Sequence, residues 1–134
     1  MGVNFDCASI AEMEQVLGMG IDSSRIIFAH PCKAPSALKM ADRRGVRWTT
    51  FDNADELDKI REISPRMELL LRIYAQDDSA RVGLGSKFGA PMEDTRGLLE
   101  KARQLGLNIV GVSFHIGMNL SVVLIPLSFE DVFM

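Results

Sequence analysis

Residues 25–51, RIIFAHPCKAPSALKMADRRGVRWTTF, hold two β-type runs with a helix between them. RIIFA (25–29) is a short apolar run that reads as a buried strand, and RWTTF (47–51) is a second. Between them residues 35–44 read as a helix that Gly45 ends. Pro35 suits the first helical turn, where its missing N–H costs nothing. The same alternation extends in both directions. Upstream, residues 3–5 are a short apolar run, and residues 9–17 carry Ile10, Met13, Val16 and Leu17 at helical spacing. Ser9 is the expected N-cap and Glu12 completes a capping box, with Gly18 and Gly20 as the stop. Downstream, a helix is expected over 54–63, with Leu57 and Ile60 inward, and a strand over 67–74 (MELLLRIY). A polar loop (75–90) then leads to a helix over 92–105, which carries Leu98, Leu99, Ala102 and Leu105 and is closed by Gly106. NIVGVSF (108–114) is the fifth strand.

Strands that alternate with single helices build a parallel sheet, because parallel neighbours need a crossover of about a dozen residues. The strands are almost wholly apolar, as when both faces are covered. The fold class is therefore α/β, with about five strands and four helices. A flavodoxin-like sheet and part of a (β/α)8 barrel both fit this pattern. No Gly-rich phosphate fingerprint follows the first strand, which argues against a dinucleotide-binding fold.

The composition agrees with an ordinary globular unit: 134 residues, 47% hydrophobic, 25% charged, net charge −3 and a mean hydropathy of +0.09. Fifteen basic against eighteen acidic residues give no nucleic-acid footprint. No apolar run approaches the roughly 20 residues of a membrane span. MGVNFDCAS has neither a basic nor an apolar leader region, so no signal peptide is expected. Cys7 and Cys32 are too few for a disulfide framework and suit a reducing, cytoplasmic setting.

An ionisable residue marks the end of each strand: Asp6, His30, Asp52, Arg72 and His115. In a parallel sheet with right-handed crossovers all carboxyl ends share one rim, where such folds place their chemistry. Two carboxylates, an arginine and two imidazoles suit an anionic, protonatable ligand. Asp6 and Asp52 could equally serve as turn or cap residues, and His30 reads as a hydrogen-bonded structural group. Arg72 cannot lose its charge, so it needs an anionic partner, either a ligand or a carboxylate such as Asp6. Zinc chemistry has no support, since no CxxC or HExxH occurs, and no metal site is expected. Cys7 has no identifiable base and reads as packing. The basic run Lys33, Lys39, Arg43, Arg44 and Arg47 reads as a solvated helix face, with docking of an acidic partner as the alternative.

FDCASIAEMEQV, RIIFAHPCKAPSALKMADRRGV, TTFDNADELDKI, LLLRIYAQDDSA, SKFGAP and VGVSFHIG occur in this order with short spacings. Together they closely resemble the N-terminal barrel of eukaryotic ornithine decarboxylases, pyridoxal-phosphate enzymes of the alanine-racemase-like (β/α)8 class. The resemblance covers about residues 3–117. It implies pyridoxal 5'-phosphate as cofactor and ornithine as substrate, with release of CO2 and putrescine in polyamine synthesis. Asp6 and Glu12 match positions near the cofactor and its lysine, and Arg72 matches an arginine that organises the cofactor site. His115 matches the histidine that stacks on the pyridine ring, which makes it the catalytic candidate. His30 stands where the family usually has Asn. The family is homodimeric, and the stretch matching about 35–58 docks the regulatory protein antizyme in animal and fungal relatives. Lys39, Arg43 and Arg44 are the candidate contacts.

The departures from the family pattern are as informative. The Schiff-base lysine belongs to a strand before FDCAS and is expected outside this chain. Met118 stands where the family has a phosphate-binding serine, and residues 118–134 are expected to be a non-family tail. Gly117-Met118 is encoded GGN-ATG, which can contain the intron opening GTATG, so read-through is the expected origin of that tail. A truncated, inactive decarboxylase is therefore the leading expectation. An antizyme-inhibitor-like binding protein without catalysis is the alternative, and a remnant without a role is the third possibility.

Overall fold

The computed structural model describes residues 4–74, 89–116 and 119–123, with backbone alone from residue 115 onward. Its sheet runs in strict sequence order, β1 (Phe5–Cys7), β2 (Ile26–Phe28), β3 (Trp48–Phe51), β4 (Glu68–Arg72), β5 (Asn108–Ile116) and β6 (Asn119–Val123). The first five strands are mutually parallel. Helices α1 (Ile10–Gly18), α2 (Pro35–Arg43), α3 (Ala54–Ile63) and α4 (Met92–Gln104) are the crossovers. A doubly wound sheet would reverse its strand order at a switch point. This one advances by one strand at every step, which is the winding of a barrel. Among the described residues, no helix is long and apolar enough to cross a membrane.

β6 departs from the expected pattern. Only residues 117 and 118 separate it from β5, too few for a parallel crossover, and the pair is antiparallel. A register irregularity between Leu69 and Leu70 on the β4–β5 ladder leaves Val110 as an extra residue on β5, between the partners Ile109 and Gly111.

Local signals place the helices. Ser9 Oγ accepts the Glu12 N–H at 3.2 Å, and Glu12 Oε2 accepts the Ala8 N–H at 2.8 Å, a reciprocal N-terminal cap. Pro35 occupies the first turn of α2. Asn53, rather than Asp52, caps α3, accepting the Glu56 N–H at 2.9 Å. One consequence is that Asp52 is left free for other work.

The two faces of the sheet differ. Alternate strand residues Cys7, Ile26, Phe28, Phe51, Leu69, Leu71 and Ile109 pack against Met13, Leu38, Leu57, Ile60, Leu99 and Ala102 of the helices, and these form the main core. The opposite face carries a small cluster, Ile27, Ala29 and Leu70, with Trp48 and Val110 against it. By the period-two rule that inner face also receives Asp6, Thr50, Asp52 and Arg72. Ser113 joins them as the register partner of Arg72.

Candidate functional site

The carboxyl ends of β1–β5 are organised by two anchors. The first is a buried lysine. Lys33 is 3% exposed. The Lys33 Nζ donates to His30 O at 2.9 Å and to Thr50 O at 2.6 Å, and pairs with Glu56 Oε1 at 2.9 Å. All three ammonium protons are thereby used. The Lys33 N–H also donates to Glu56 Oε1 at 3.2 Å. Lys59 completes the group, with its Nζ 2.6 Å from Glu56 Oε2 and donating to Lys33 O. Burial pushes the Lys33 ammonium below the usual lysine range, and the Glu56 carboxylate acts against that shift. The cluster ties the end of β2, the end of β3 and the first turn of α3 into one piece. It also corrects the reading of Lys33 as part of a solvated basic face. A charged residue in a short loop gives no sign of burial until its partner, 23 residues on, is brought beside it.

The second anchor is Asp52, whose Oδ2 accepts the Gly89 N–H at 2.8 Å and whose Oδ1 accepts Asn53 Nδ2 at 3.0 Å. The Ala90 N–H donates to Arg72 O at 2.8 Å, and the Tyr74 N–H donates to Ala90 O at 2.9 Å. Residues 89 and 90 are thus stitched to the end of β4. Gly89 is required there: its φ is +117°, and a Cβ would lie 2.7 Å from Tyr74 N.

The residues singled out by sequence take these places. Asp6 lies exposed on β1, at one edge of the sheet. Glu12 is engaged in capping α1 through the Ala8 N–H. Both carboxylates raise the Cys7 thiol, whose burial is the larger cause, so Cys7 is held as a neutral core group. Arg72 is half-buried at the end of β4. The His115 backbone pairs with Leu120, and its side chain lies outside the described residues. His30 Nδ1 accepts the Cys32 N–H at 3.1 Å, a turn-forming contact. Lys39, Arg43 and Arg44 are exposed along α2 and at its C-cap. Among the described residues no group of three His, Cys, Asp or Glu could hold a metal ion.

Two inner-face hydroxyls were not singled out by sequence reasoning. Thr50 Oγ1 and Ser113 Oγ are buried and have no hydrogen-bond partner among the described residues. Their signal was the alternation itself, which places them in line with Asp52 and Arg72. The rim therefore combines a guanidinium, carboxylates and unsatisfied hydroxyls, a set suited to an anionic ligand with several acceptor atoms.

The model of the pyridoxal-dependent decarboxylase family, pyridoxal binding domain, matches residues 1–123. An ornithine decarboxylase of Neurospora crassa is 57% identical over 121 residues, 90% of this chain and 25% of that one. Antizyme inhibitor 2 of Xenopus laevis is 44% identical over 117 residues, 87% of this chain and 25% of that one. The arginine decarboxylase structure of Paramecium bursaria Chlorella virus superposes with a TM-score of 0.83 at 47% identity, covering 87% of this chain and 32% of that one. The chain spans about a quarter of the length of such curated relatives. A consecutively wound parallel sheet, helices over one face, a polar inner rim and a family match over nine-tenths of the chain converge: the protein belongs to the pyridoxal-dependent decarboxylases and carries part of their pyridoxal-binding barrel.

Proposed function

We propose that this chain is a segment of an ornithine decarboxylase, in which it forms part of the pyridoxal 5'-phosphate barrel and is inactive by itself. The observation that carries this reading is the 57% identity to a fungal ornithine decarboxylase over 121 residues, 90% of this chain. The residues present fit the cofactor. Arg72 offers a permanent positive charge to an anionic ligand, and the buried hydroxyls of Thr50 and Ser113 lack protein partners at the same rim. When bound, pyridoxal phosphate supplies the electron sink that takes up the electron pair left as CO2 departs.

The chain's own residues then bind and orient. Arg72, Asp6 and Glu12 shape the charge around the cofactor, and His115 covers the ring as the resemblance implies. The Lys33–Glu56–Lys59 cluster keeps the strand ends, and with them the rim, in fixed register. The Schiff-base lysine is supplied by another part of the subunit, which acts as a homodimer in the cytoplasm. Residues 118–134 are proposed to arise by read-through beyond the Gly117 codon. Spliced transcripts crossing that codon support this origin, whereas dominant continuous coverage contradicts it.

The test of function is the product of the intact reading frame around this segment, purified with pyridoxal phosphate and given ornithine, arginine or lysine. CO2 release from ornithine in preference to the others is expected, with a loss of about 100-fold or more in His115→Ala. No release from any of the three contradicts the proposal. A non-catalytic role in binding antizyme is the second reading, favoured by the antizyme inhibitor relative and by the exposed Lys39, Arg43 and Arg44. Reversing all three charges should abolish antizyme capture, and unchanged capture rejects this surface.

A further inference from the structure

We propose that Thr50 and Ser113 are positioning residues of the cofactor site, donating hydroxyl hydrogen bonds to bound pyridoxal phosphate. This rests on the assignment of the chain to a pyridoxal-phosphate barrel and deepens it. Both hydroxyl oxygens are buried, Thr50 at 1% exposure and Ser113 at 0%, and neither has a partner among the described residues. A buried hydroxyl without a hydrogen bond is costly, and a ligand atom that accepts its proton removes that cost.

Their placement says what that is. Ser113 is the register partner of Arg72, and Thr50 is the partner of Leu70, two residues before Arg72 on the same strand. The hydroxyls therefore belong to the two strands that flank β4, Ser113 level with Arg72 and Thr50 two residues before it. Thr50 is also held rigidly, because the buried Lys33 ammonium grips its carbonyl at 2.6 Å. Its neighbour Thr49 supplies the contrast. Thr49 is just as buried, but its Oγ1 donates to Phe28 O at 2.8 Å, so its hydroxyl is already spent within the sheet.

The opposed behaviour of the two threonines gives the test. The intact subunit is stripped of cofactor, and its melting temperature and its Kd for added pyridoxal phosphate are measured, together with the visible spectrum of the reloaded form. Thr50→Val and Ser113→Cys should each weaken pyridoxal phosphate binding about fivefold to tenfold. Neither should lower the melting temperature of the stripped protein, since no protein hydrogen bond is removed. Thr50→Ser should restore binding. Thr49→Val should do the reverse, lowering the melting temperature and leaving the Kd unchanged. Wild-type Kd and spectrum in both Thr50→Val and Ser113→Cys would overturn the proposal, and so would a fall in melting temperature with the Kd unaltered. If the wild-type subunit itself takes up no pyridoxal phosphate, the functional assignment fails, and this inference with it.

Discussion

The two faces of this sheet are built from the same strands, residue by residue, yet they do different work. The outer face alternates Phe28, Phe51, Leu69 and Leu71 into a continuous core under the helices. The inner face interleaves a three-residue apolar cluster with Asp6, Thr50, Asp52, Arg72 and Ser113. Period two makes the separation possible, since each strand can spend half its positions on stability and half on chemistry. Thr49 and Thr50 show the division in adjacent residues, one satisfied within the sheet and the other left for a ligand.

The largest effect expected from this division is on the outer face. Leu69→Ala should cost about 3–5 kcal/mol in denaturant unfolding, because Leu69 is fully buried among helix side chains. Leu70→Ala, in the small inner cluster, should cost about 2–3 kcal/mol. Equal costs would break the distinction. Next comes the buried ion cluster. Glu56→Ala should cost about 3 kcal/mol by leaving Lys33 charged and unpaired, whereas replacing the pair together by Lys33→Met and Glu56→Leu should be far milder. Gly89→Ala should cost about 2 kcal/mol through its positive φ and the clash with Tyr74. It should also loosen the tie to Asp52 at the rim.

The smallest effect is pH-dependent. The Lys33 pKa is lowered by folding, so the folded state binds fewer protons than the unfolded state between that lowered value and 10.5, the ordinary lysine value. The Lys33 contribution to stability therefore rises with pH across this window and falls as pH drops through the folded pKa. Subtracting the pH profile of Lys33→Met from that of the wild type should expose this slope, and parallel profiles would contradict it.

Much of this architecture was legible in the sequence because its signals are local. The α3 limits, 54–63, match the expected range, since Asn53, the acidic first turn and the apolar spacing all lie within a dozen residues. The Ser9–Glu12 capping box is equally local. The first strand was expected at 3–5 and lies at Phe5–Cys7. Asp6 looked like a terminator, but it is an inner-face residue within the strand. β6 was unforeseen, because a hairpin partner depends on a two-residue connection rather than on a periodic pattern. Lys33 looked like surface for the same kind of reason: its burial depends on Glu56 and Thr50, both distant in sequence. The candidate rim was readable as a set of strand-end charges. The hydroxyls within it were not, because only the fold shows that they lack partners.

The most direct test of the two-face account is amide hydrogen exchange on the intact subunit with and without pyridoxal phosphate. Added protection is expected at the carboxyl ends of β3, β4 and β5, around Thr50–Asp52, Arg72–Tyr74 and Ser113–His115, with the exposed faces of α1–α4 unchanged. Protection spread over the helices, or none at these strand ends when the cofactor is bound, would contradict it.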